Sequence, residues 1–275
     1  MVWQKKFKKG WKPPAKWGRI EAVREKVNRS AARMLSEREH QEYLALRIIA
    51  QSVSPVGSGY LSREMRKMGQ VVSEATAGRI LNRLDHGGYT AKVGFQGRTL
   101  TDTGSAYFKN LDVRKTRLDQ GEEFFSVLHN QTKERLIDIL VARKAIEREL
   151  ARLAAENATP EEIKEMWAIQ RAQFEKAARP DGAAEQDVLF HRAIARAARN
   201  PVLESAIEMI RQDGQLTPVF EYIRRTVHSV ISYDHAQVIR SIENHNPDLA
   251  EQAMVRHIEN LISDVKKYWT KINKA

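Results

Sequence analysis

The 275 residues include 42% hydrophobic side chains, few glycines and prolines, no cysteine, and a formal net charge of +11. That length fills one large or two ordinary domains, and the lack of cysteine excludes disulfides and thiolate metal sites. No run reaches the roughly 18 apolar residues of a membrane span, and the basic N-terminus lacks the apolar core of a secretory signal; a cytoplasmic protein is expected.

The charge is unevenly spread. Residues 1–120 hold 24 Lys and Arg against 11 Asp and Glu, while residues 121–275 hold 22 against 24. One half is therefore suited to a polyanion and the other to a different task. Residues 1–20 form a basic arm, with six lysines interleaved with Trp3, Trp11 and Trp17. The pattern from about Ile20 to Val53 is helical, with Tyr43, Leu46, Ile49 and Ala50 at apolar spacing, and Ser54-Pro55 ends it. A short helix follows over LSREMRKMG, and a third starts after Ser73, a good N-cap, and ends at Gly87-Gly88. Two β-like runs, YTAKV and RTLT, flank GFQG, and helix resumes from Thr101 to Asp119.

Three helices and a small hairpin make the order of a winged helix-turn-helix, expected over residues 21–120. Its third helix would enter the major groove of double-stranded DNA. Ser73, Glu74 and Thr76 would then reach base edges, with Arg79, Arg83, Lys92 and Arg98 supplying charge, mostly to phosphates. The run from Pro55 to Gly104 resembles the winged helices of nitrogen-type and related prokaryotic repressors. The landmarks are Pro55, Gly57, Ser58, SEATAGR, Gly97-Arg98 and LTDTG, and the usual core of GntR winged helices is missing.

Gly121 is expected to separate this module from helices running to the C-terminus. On the expected helix ERLIDILVARKAIERELARLAAENATPEE, Arg143 falls in the middle of the apolar stripe formed by Leu136, Ile139, Leu140, Ile146, Leu150 and Ala154. A buried guanidinium needs an anion, either Glu147 one turn on or the carboxylate of a bound ligand. Asp187 and His191 share a face with Ile194 and Ala198; His235 shares one with Ile231, Val238, Ile239 and Ile242; His257 shares one with Ala250, Met254 and Leu261. On one straight helix His235 and His257 would lie about 33 Å apart. Asn246-Pro247 breaks that helix midway. In the resulting antiparallel hairpin the two imidazoles come level, each about 16 Å from the turn. Asp187 and His191 would complete a three-imidazole, one-carboxylate set for a divalent metal, zinc first, with nickel, manganese or iron as alternatives. The other five histidines read as structural or exposed.

The segments VARKAIERELARLAAENATPEEI, DVLFHRAIARAARNPVL and HAQVIRSIENHNPDLAEQAMVRHIENL resemble the FCD ligand-sensing domain of FadR-type GntR-like regulators. The resemblance implies an all-helical bundle over residues 121–275, with Asp187, His191, His235 and His257 as metal ligands and Arg143 and Asn200 at a small organic acid. It further implies a homodimeric transcription regulator rather than an enzyme. Two other readings are a repressor that senses the metal itself and a metal-dependent hydrolase using Glu147 or Tyr233.

Overall fold

A computed structural model describes residues 35–128, 132–176, 183–211, 216–229 and 232–274. The basic arm, the start of the first expected helix, His129 and Ile231 lie outside the described residues. The chain divides into two compact units between Glu123 and Phe124. Among the described residues it is helical apart from one two-stranded hairpin and an isolated bridge, as the composition predicts. No helix is long and apolar enough to cross a membrane.

In the first unit, α1 (Glu37–Gln51) starts from a capping box between Ser36 and Glu39 and buries Tyr43, Leu46 and Ile49. It packs against α2 (Ser58–Lys67) and α3 (Glu74–His86). Ser73 caps α3 by accepting from the Thr76 N–H, which satisfies one of the helix's free donors. The wing is β1 (Thr90–Val93) antiparallel to β2 (Gly97–Leu100), in the register Thr90↔Leu100 and Val93↔Gly97. Its second strand is tied to the chain before α2: Val56 and Arg98 exchange backbone hydrogen bonds of 2.9 and 3.0 Å. Gly97 permits that approach, since its φ is +138° and a Cβ there would stand 2.4 Å from the Val56 carbonyl carbon.

The next helix, α4 (Asp102–Leu128), corrects one expectation. It passes through Gly121 without a break and outruns the expected end at Asp119 by nine residues. One exposed-helix glycine costs only about 1 kcal/mol relative to alanine, and the good helix formers around it offset that cost.

In the second unit, α5 (Lys133–Asn157) ends where Ala158, Thr159 and Pro160 interrupt it. The sequence reading ran that helix on into the TPEE segment. Instead Thr159 and Glu162 form a reciprocal cap (3.0 and 3.3 Å) that starts α6 (Pro160–Lys176). Then come α7 (Ala183–Ala197), α8 (Pro201–Arg211), α9 (Leu216–Thr226), α10 (Ser232–Glu243) and α11 (Pro247–Lys274). The expected hairpin at Asn246-Pro247 is present: Asn246 Oδ1 accepts from the Leu249 N–H at 3.0 Å, Pro247 is the first helical residue, and α10 packs on α11. The long α11 lies along α5, and α6, α7 and α10 close around them over one apolar core.

Candidate metal and ligand site

Three helix faces deliver four polar side chains to the middle of that core. Asp187 and His191 come from successive turns of α7, His235 from α10, and His257 from α11. All are buried, the last two completely. Ring centroids are 4.6 Å apart for His235 and His257, 5.3 Å for His191 and His257, and 5.5 Å for His191 and His235. Asp187 Oδ1 lies 3.6 Å from His235 Nε2 and 3.8 Å from His191 Nε2. One donor atom from each of the four residues lies within 4.8 Å of the other three.

Hydrogen bonding bears on whether an ion fits. His235 Nδ1 is 2.7 Å from Gln173 Oε1. An amide oxygen can only accept, so the proton sits on Nδ1 and Nε2 presents a lone pair. His191 Nδ1 lies against Glu147 Oε2, and Asp234 Oδ2 is 3.8 Å from His257 Nδ1. His235 and His191 thus have an oxygen against the outer nitrogen, the arrangement that orients metal-ligating histidines, while Asp234 stands beyond hydrogen-bond reach of His257. Yet His191 Nε2, His235 Nε2 and both nitrogens of His257 have no hydrogen-bond partner among the described residues. Leaving that many buried nitrogens unpaired costs several kcal/mol, and a cation at the common centre would satisfy one nitrogen of each ring.

Protonation states agree with this. Burial pushes all three imidazoles below their usual value, strongly at His235 and His257, helped by Arg211 at His191, by the His257 ring at His235, and by Arg224 at His257. Burial alone would raise the Asp187 carboxyl, but His191, Arg211, His235 and Arg224 hold it well below its usual range. Neutral imidazoles beside an ionised carboxylate are the ligand forms a divalent metal needs.

Three buried guanidiniums flank the cluster. Arg143 Nε donates to Glu147 Oε1 at 2.6 Å. Arg211 reaches Glu147 Oε1 at 3.2 Å and Asp187 Oδ2 at 2.9 Å, and Arg224 stands 3.9 Å from Asp187 Oδ1. Burial would raise the Glu147 carboxyl, but Arg143, His191 and Arg211 hold it well below its ordinary value. Of the two partners expected for Arg143, Glu147 is therefore engaged.

Comparison with known proteins decides the domain type: residues 138–260 match the family model described as FCD domain. The second unit is an FCD domain. Over 129 residues the chain is 30% identical to the Exu regulon transcriptional regulator of Escherichia coli strain K12, 45% of this chain and 48% of that protein. It is 32% identical over 142 residues to the putative L-lactate dehydrogenase operon regulatory protein of the same strain, covering 48% and 52%. The Uxu operon transcriptional regulator matches at 31% over 134 residues, covering 45% and 51%. The chain spans about half the length of the curated relatives it matches. Residues 44–107 match a second model, the Ribonuclease R winged-helix domain. Superposition on E. coli McbR/YncC covers 86% of this chain and 100% of that one at 16% identity and a TM-score of 0.45, too loose a likeness to argue from. The expected resemblance to GntR-like regulators of the FadR type holds, and the matched relatives are named regulators, not enzymes.

Within the FCD domain the sequence reading passed over Gln173, Arg211, Arg224 and Asp234. Two of them carried a visible signal. Arg224 follows Phe220 by one turn on the buried face of α9, and Gln173 continues the Ile163, Met166 stripe of α6. Asn200, placed at the ligand by resemblance, caps α8, accepting from the Leu203 N–H at 3.1 Å.

In the winged unit the seven candidate DNA contacts separate. Ser73, Glu74, Thr76 and Arg79 lie together at the start of α3, with Arg79 donating to Thr76 Oγ1 at 3.1 Å, and Lys92 is exposed on the wing. Arg83 is held by the buried carboxylate of Glu42 at 2.9 Å, and Arg98 by Asp85 of α3 at 2.9 Å. Both bind the unit to itself.

Proposed function

We propose that this chain is a ligand-responsive transcription regulator, acting as a homodimer on double-stranded DNA in the cytoplasm. In this reading its FCD domain holds a divalent metal and a small organic acid. The observation that carries the reading is the set of three buried, neutral imidazoles with unpaired nitrogens around an ionised aspartate, ringed by three guanidiniums. Asp187, His191, His235 and His257 would hold the ion, with Gln173 and Glu147 orienting two of the rings. Three nitrogens and one carboxylate oxygen suit zinc, with nickel, manganese or iron fitting the same donors. A bound divalent ion would supply positive charge and coordination positions open to an anion's oxygens.

Charge supports an anionic ligand. Arg143, Arg211 and Arg224 face Glu147 and Asp187, with Asp264 felt by Arg224 as a third carboxylate. Adding a divalent ion puts two more positive charges beside these guanidiniums, which favours the entry of an anion. Arg143, Arg211 and Arg224 are the groups suited to grip a carboxylate. On the DNA side, Ser73, Glu74, Thr76 and Arg79 would read the major groove and Lys92 a phosphate.

The Arg143–Glu147 pair favours one second reading, in which the metal alone is the signal. Hydrolysis has little support: Tyr233 is 68% exposed, and a carboxylate held by the Arg143 and Arg211 guanidiniums is a weak base.

The test is to select 40-bp duplexes from a random pool with the zinc-loaded full chain. Duplex affinity is then measured with lactate, malonate, citrate or glucuronate added. A change with at least one acid that Arg143→Ala abolishes, with zinc binding retained, supports the reading. If no acid changes the affinity while removing zinc does, metal sensing replaces it.

A further inference from the structure

The wing carries an observation that the metal reading does not use. Residues 91–96, Ala-Lys-Val-Gly-Phe-Gln, are all exposed and hold a single charge, Lys92. Phe95, in the middle of the three-residue loop joining β1 to β2, is 111% exposed, and Val93 beside it 37%. The wing's other basic side chain, Arg98, is pinned to Asp85 by contacts of 2.9 and 3.2 Å. Few groups remain on this tip to grip a phosphate. What it presents is an aromatic ring in water, an exposure that costs about 2 kcal/mol relative to burial.

The same hairpin is fixed from its base to its second-last pair. Two backbone bonds tie Arg98 to Val56, Thr90 Oγ1 donates to Asp85 Oδ1 at 2.6 Å, and Thr101 Oγ1 donates to the Gly88 carbonyl at 2.7 Å. At the tip, Gly94 (φ +53°) turns the chain and the Gln96 N–H donates to the Val93 carbonyl at 3.0 Å. The ribbon is thus clamped as far as Arg98 and Gly97, and the three-residue loop beyond the clamp ends in an apolar ring. Orienting the ring ahead of contact lowers the entropy cost of binding.

We propose that Phe95 is a DNA wedge: it enters the minor groove beside the site read by α3, stacks at a base step and partly unstacks it. This rests on the DNA-binding reading of the first unit. DNA is favoured over a protein partner because residues 1–120 carry 24 basic against 11 acidic side chains, and apolar side chains inserted between base pairs are an established way to kink a duplex.

The test compares the full zinc-loaded chain with Phe95→Ala and Phe95→Leu on 40-bp duplexes selected from a random pool by the wild-type chain. Aromatic–base stacking implies that Phe95→Ala weakens binding roughly 5- to 150-fold. Wild-type binding should raise permanganate reactivity at thymines beside the α3 footprint and bend the duplex. Phe95→Ala should lose both signals, and Phe95→Leu, still apolar, should keep part of the bend. Wedging is overturned if Phe95→Ala binds within twofold of wild type with the same bend. It is equally overturned if the variant's defect is loss of self-association in sedimentation without DNA, since Phe95 would then face another copy of the chain. If the wild-type chain retains no duplex at all, the DNA reading fails and the wedge with it.

Discussion

Acid applied to the metal-free chain gives the most direct test of the buried cluster. His191, His235 and His257 would titrate near 6.5 in the unfolded chain, but burial holds all three below that value in the fold. Below pH 6.5 the unfolded state therefore binds more protons than the folded one, so stability falls as pH falls. Between pH 8 and 5 each imidazole that stays neutral in the fold loses about 2 kcal/mol of stability. Two to three of them lose about 4–6 kcal/mol, a large part of the roughly 5–15 kcal/mol that holds an ordinary domain folded. Asp187 and Glu147, held below their usual values, extend the loss below about pH 4. The assay is urea unfolding followed by circular dichroism at pH 8, 7, 6 and 5 in the presence of a chelator. A change under about 1 kcal/mol across that range would refute the reasoning, because the imidazoles would then be taking up protons inside the fold. A saturating metal should raise the neutral-pH stability, since it binds only the folded chain.

Three further outcomes follow from single contacts. Gln173→Leu removes the acceptor on His235 Nδ1 and should weaken zinc binding about 10- to 100-fold with the helical circular dichroism unchanged, read by competition with a chromophoric chelator. Gly97→Ala puts a Cβ 2.4 Å from Val56 at a φ of +138°. It should destabilise the winged unit by about 1–3 kcal/mol, lowering its melting temperature by at least about 4 °C while leaving zinc binding intact. Ser73→Ala deletes the α3 cap and should cost about 1 kcal/mol in chemical denaturation of the same unit.

The winged order was legible because each local rule pointed the same way. Ser73, the Gly87-Gly88 stop and the glycines around Phe95 mark boundaries that depend only on near neighbours. The helix end expected at Asp119 misled for the same reason: one glycine is a weak break, and the residues around Gly121 carried α4 on to Leu128. Arg83 and Arg98 were assigned to phosphate because the sequence shows a charge but not its partner. Their partners, Glu42 and Asp85, lie 41 and 13 residues away along the chain.

By itself the sequence determined the helical periodicity, the Asn246-Pro247 turn that brings His235 and His257 level, and the buried faces carrying all four ligand candidates. Those follow from a repeat of 3.6 residues and from proline's fixed φ and missing N–H. Only the tertiary structure decided which charges share the interior. Arg211 and Arg224 meet Asp187 from helices that lie next to α7 only after folding, and Gln173 reaches His235 across 62 residues. Whether a buried charge is paired depends on distances of a few ångströms between separate helices, and no local pattern in the chain sets those distances.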